Sequence, residues 1–103
     1  MSEKLAKLHA MLQKQPDDPF LLYGIAMEHK KLNEATRAIE FLDRVIQADP
    51  NYCYAYYQRG QILESMGDAV SAVQTYNDGV SAAKRAGDAH AQSELESALS
   101  MIQ

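Results

Sequence analysis

A chain of 103 residues and 11.5 kDa suffices for one domain with a modest core and is too short for two. Ten basic against 14 acidic side chains give a net charge of −4 and a pI near 5.2, the wrong sign for a nucleic-acid binder. No apolar run approaches the roughly 18 residues of a membrane span, Met1-Ser2-Glu3-Lys4 is not an apolar signal core, and the single Cys53 cannot form an internal disulfide. The expected compartment is therefore the cytoplasm.

Fifteen alanines outnumber valine, isoleucine and threonine together, and the prolines fall in only two short stretches. That balance predicts an all-α fold. Residues 3–15 form the first helix, with Leu5, Leu8 and Leu12 as its apolar stripe. Asp17 or Asp18 caps the next helix, which Pro19 opens and which runs to about Lys31, with Leu22, Ile25, Ala26 and His29 on one face. After a turn at Leu32-Asn33, residues 34–48 turn Ala38, Ile39, Leu42, Val45 and Ile46 inward. Asp49-Pro50-Asn51 ends that helix. Further helices follow over about 53–65 and 69–85, the latter with Ala72, Val73, Tyr76 and Val80 inward. Residues 89–102 close the chain on Leu95, Ala98, Leu99 and Ile102. Gly67-Asp68 and Gly87-Asp88 each combine a stop with a cap.

The two proline stretches carry an internal period, since Pro16 and Pro50 lie 34 residues apart. At that offset Leu5, Ile39 and Val73 share a column, as do Leu8, Leu42 and Tyr76, and Leu12, Ile46 and Val80. Phe20 matches Tyr54, Leu22 matches Tyr56, Tyr23 matches Tyr57, Ala26 matches Gly60, Asn33 matches Gly67, and Ala38 matches Ala72. A period that also preserves side-chain size marks a structural repeat.

On Tyr56, Gly60, Leu63, Gly67, Ala72 and Tyr76, and on Leu22, Ile25, Ala26, Ala38, Leu42 and Pro50 of the preceding unit, the sequence resembles the tetratricopeptide-repeat family. The resemblance implies an α-solenoid of antiparallel helix pairs with about five helices in a single domain, 1–103. Residues 1–16 would be a leading half-repeat, 19–52 and 53–86 two full repeats, and 87–103 a capping helix. The first repeat departs from the family pattern at Leu22, Ala26 and His29. The second departs at Gly79, which stands where alanine is usual, and at Lys84 in the proline column, so its last helix should run slightly long.

No enzyme, metal site or cofactor is expected. His9, His29 and His90 lie in separate elements, and none is spaced with Cys53 or with another histidine as a ligand set or a catalytic pair. His29 reads as a packing residue and Asp17-Asp18 as capping residues. The family instead implies a non-catalytic interaction module, in which the first helix of each repeat lines a groove for a peptide or partner segment. Carried over by column, the groove positions are Phe20, Tyr23, Met27 and Lys30, then Tyr54, Tyr57, Gln58, Gln61 and Glu64. Three- and four-residue spacings put each set on one helix face. The positions where the family grips a terminal carboxylate hold Tyr23, Met27, Gln58, Asp88 and Gln92, which supply no positive charge, so that ligand is disfavoured. The alternative is a self-associating scaffold, a weak homo-oligomer using the same faces. Neither reading involves nucleic acid or membrane.

Overall fold

A computed structural model describes residues 2–103, which are helical throughout apart from caps and turns. Six helices follow in order: α1 (Glu3–Lys14), α2 (Pro19–Lys31), α3 (Ala35–Ala48), α4 (Cys53–Ser65), α5 (Ala69–Ala86) and α6 (Ala89–Ile102). All six helices read along the chain are present, in keeping with the count of about five that the resemblance implies. They form two compact units, the first ending at Asp49 and the second beginning at Pro50.

Local chemistry sets the boundaries. Ser2 accepts the amide of Leu5 at the start of α1, and Asp18, rather than Asp17, caps α2 by accepting from Phe20 and Leu21. Asp68 and Asp88 do the same for α5 and α6. Helices α2, α4 and α5 stop where Asn33, Gly67 and Gly87 take φ of 60°, 82° and 67°. In each case the following amide bonds back five residues, Glu34 to His29, Asp68 to Leu63 and Asp88 to Ala83, which satisfies carbonyls the helix end would otherwise leave open. With lysine in the proline column, α5 runs on to Ala86.

In the first unit α2 packs on both α1 and α3. Leu5, Leu12, Leu22, Ile25, Ala26, Ala38, Leu42 and Val45 form its core, joined by Phe41, which the stripe on α3 had not included. Ile39 and Ile46 are only half-buried. Lys4 reaches the buried carboxylate of Glu28 at 3.5 Å, tying α1 to α2. His29 is a core residue. Its Nδ1 donates to Glu34 Oε1 at 2.9 Å, its ring stacks on Phe41 at 5.6 Å, and Nε2 is buried without a hydrogen-bond partner. His9 meets the same Phe41 ring edge-on at 5.7 Å and Arg44 lies 5.1 Å from its centre. Burial, then the charges of His29, Arg37 and Arg44, hold the His9 imidazole below its ordinary pKa.

In the second unit α5 packs on α4 and α6. The same columns are filled with different volumes. Tyr76 is fully buried and its ring covers Gly60, where an added Cβ would fall 2.6 Å from Tyr76 Cζ. In the first unit those columns hold Ala26 and Leu42, both buried. Gly79 makes a second such exchange. A Cβ there would lie 2.7 Å from Tyr56 Cβ and 2.8 Å from Leu95 Cδ2, whereas the equivalent columns hold Leu22 and Val45. Both glycines are therefore required by packing, which repays a helix-interior cost of about 0.5–1 kcal/mol each.

Gly60→Ala should destabilise the protein by about 1–3 kcal/mol, the usual cost of overpacking. Combined with Tyr76→Leu, which recreates the Ala26–Leu42 pair, its loss in urea unfolding should be smaller than the sum of the two single losses. Additive losses would contradict the size exchange.

Candidate partner-binding faces

Each unit offers one face of the helix that follows its proline. On α2, Phe20 stands in the first turn and is 75% exposed, because Leu21 and Leu22 take the inward positions beside it. Tyr23 and Met27, one turn apart, are half-buried, and Lys30 is exposed. These four candidates thus share one surface of the first unit, and none of them is in its core.

On α4 the candidates Tyr54, Tyr57, Gln58, Gln61 and Glu64 are all half-buried. Tyr54 and Tyr57 meet edge to face at 6.4 Å, and Tyr57 lies 6.3 Å from the buried ring of Tyr76. The three rings form a continuous row. At its inner end the Tyr76 hydroxyl donates to Glu64 Oε2 and accepts from Gln61 Nε2 at 2.9 Å. Gln61 and Glu64 therefore hold a core tyrosine in place as well as bordering the face, a role invisible in the repeat columns. Burial, followed by the hydrogen bond to Glu64 and that residue's charge, pushes the Tyr76 hydroxyl well above its ordinary pKa.

The outer end of the row is electronegative. The Tyr54 hydroxyl is also pushed up, by burial first and then by the charges of Glu94 and Asp88 on and before α6. Asp88 stood among the columns inspected for a carboxylate grip. Glu94 was not singled out, because only the packing of α6 beside α4 brings it near. Tyr56 is a core residue whose hydroxyl donates to the Pro50 carbonyl at 2.7 Å.

Cys53 is buried, with Sγ donating to the Asn51 carbonyl at 3.4 Å. Among the described residues no three histidine, cysteine or carboxylate side chains converge on a metal position. No helix among them is long and apolar enough to cross a membrane.

Family models described as tetratricopeptide repeat match residues 21–52 and 41–74. Over 88 residues the chain is 31% identical to the TPR repeat-containing protein PA0015 of Pseudomonas aeruginosa, spanning 85% of this chain and 84% of that protein. The chain belongs to the tetratricopeptide-repeat family. Among solved structures, a tetratricopeptide repeat domain protein from Salinibacter ruber is 33% identical, with a TM-score of 0.80 over 85% of this chain and 89% of its own. The TPR2B domain of yeast Sti1, solved as a complex with pHsp70, reaches a TM-score of 0.87 over 95% of this chain and 78% of that one. Its 18% identity makes that a likeness of fold. As a tetratricopeptide-repeat protein, the chain has the fold of a general protein–protein interaction module.

The shift of Tyr76 has a consequence at high pH. A hydroxyl that keeps its proton longer in the folded protein contributes stability that is complete below the unfolded value of 10.0 and is lost above it. Alkaline unfolding should begin above about pH 10 and be shallower in Tyr76→Phe. That variant should also lose about 0.5–1.5 kcal/mol at neutral pH, measured by urea denaturation.

Proposed function

We propose that this protein is a non-catalytic interaction module that takes a peptide or partner segment on the helix faces of α2 and α4. One observation carries the reading. Phe20, Tyr23, Tyr54 and Tyr57 stay outside the core, although Tyr56 on α4 and Tyr76 on α5 show that this fold buries tyrosine where its columns call for it. Aromatic side chains with one apolar and one wet end are enriched where proteins recognise partners. In the first unit the anchor would be Phe20, with Met27 as an adaptable neighbour and Lys30 at the rim. In the second, Tyr54 and Tyr57 would supply contact area while Gln58 is placed to hydrogen-bond an extended backbone. Sti1, which shares the fold, was solved with pHsp70 on its TPR2B domain, and binding by this chain would follow the same general mode. The single buried thiol of Cys53 suits the reducing cytoplasm.

Panning the intact chain against a phage-displayed library of random decapeptides should retain a defined set, with affinities near micromolar, about −8 kcal/mol. Phe20→Ala combined with Tyr54→Ala should weaken them at least tenfold while far-ultraviolet circular dichroism stays unchanged. Undiminished binding by that variant overturns the face assignment.

Self-association is the second reading, favoured by Val70 and Met101 of the second unit, 82% and 85% exposed. Under it, light scattering over a hundredfold concentration range should show mass rising toward a dimer. A constant monomer mass removes it.

A further inference from the structure

The second unit carries three basic side chains against six acidic ones. Two of the three donate hydrogen bonds to neutral oxygens within the unit. Arg59 donates to Thr75 Oγ1 at 2.6 Å, and Arg85 donates to Asn51 Oδ1 at 2.9 Å and to the Pro50 carbonyl at 3.2 Å. The third, Lys84, lies in the last turn of α5. The row itself is bordered by carboxylates. Glu64 holds the Tyr76 hydroxyl at one end, while at the other α6 packs beside α4 with its cap Asp88 and with Glu94, both half-buried like Tyr54, whose hydroxyl their charges reach. Asp88 caps α6 through Ala91, and Glu94 has one oxygen engaged by His90 Nε2 at 2.6 Å. Neither contact cancels the acidic charge with a lysine or arginine.

Aromatic rings bordered by carboxylates have the chemistry of a cation receptor. A ring face attracts an ammonium or guanidinium group within about 6 Å, and neighbouring carboxylates add direct charge pairing. The Tyr54–Tyr57 pair presents such rings at 6.4 Å separation, edge to face, so a side chain stacked on one meets the rim of the other. This electrostatic pattern is the opposite of one that would grip a partner's terminal carboxylate.

We propose that the α4–α6 face of the second unit, Tyr54 and Tyr57 with Asp88 and Glu94, binds a basic segment of a partner protein through a lysine or arginine side chain stacked on the tyrosines. The occupant follows from charge complementarity, which steers encounter and selects partners more than it adds affinity. The proposal rests on the peptide-binding reading above and narrows it to a partner of one charge.

The test uses the intact chain and the decapeptides it retains from the random library. Lysine or arginine should recur at a fixed position beside an apolar residue. A synthetic peptide of that consensus, labelled for fluorescence anisotropy, should bind Asp88→Asn/Glu94→Gln on the order of tenfold more weakly and lose affinity as salt rises. Asparagine remains a good helix cap, so the variant should keep its fold by circular dichroism. Asp68→Asn/Asp78→Asn, which removes the same charge elsewhere in the unit, should bind within about twofold of the parent. Retained peptides without a recurring lysine or arginine overturn the basic-partner proposal and leave peptide binding standing. So does equal binding by the Asp88→Asn/Glu94→Gln variant. A library from which nothing is retained overturns both.

Discussion

The second unit depends on a tyrosine ring lying on a glycine. Tyr76 is fully buried in α5, and the missing side chain of Gly60 lets α4 come close enough for the ring to cover it. Protein interiors tolerate neither voids nor extra methylenes, so the volume lost at one column must return at its neighbour. Alanine and leucine in the first unit become glycine and tyrosine in the second. Leucine and valine likewise become tyrosine and glycine at Tyr56 and Gly79. The repeat preserves the summed size of paired columns more faithfully than the identity of either one.

That exchange reaches the surface. A leucine needs nothing at its tip, but a buried tyrosine brings a hydroxyl that must be satisfied. Gln61 and Glu64 on α4 meet the need, and in doing so they fix the inner end of a ring row that passes through Tyr57 to Tyr54. The first unit has Leu42 in the Tyr76 column, and its face is led by the exposed ring of Phe20. The two repeats thus share a backbone plan and present different chemistry to a partner.

Polar burial in the first unit takes another form. His29, one of the first repeat's departures from the family pattern, stacks on Phe41 while its Nδ1 bonds Glu34 just past the helix end. Phe41 in turn gathers His9 and Arg44, so a ring of the core is surrounded by titratable and charged groups from three helices. The lowered pKa of His9 follows from that crowding. These contacts join α1, α2 and α3 and make the first helix an integral part of its unit.

Helix placement, turn positions and the repeat were legible in the sequence because each has a local cause. Proline opens α2, aspartates cap, glycine or asparagine accepts a left-handed turn, and a 34-residue period needs only comparison of the chain with itself. The inner residues Leu22, Ala26, Ala38, Leu42, Ala72 and Tyr76 followed from helical spacing, and all are buried. Spacing overestimated the depth of Ile39, Ile46, Val73 and Val80, which are half-buried, since periodicity reports which side a residue is on and not how completely a neighbour covers it. Tertiary structure alone decided that Gln61 and Glu64 hold Tyr76, that Gly79 makes room for Leu95, and that Glu94 reaches the field of Tyr54. Each joins residues of two helices whose relative rotation and approach depend on side-chain volumes, and no pattern along one helix contains that information.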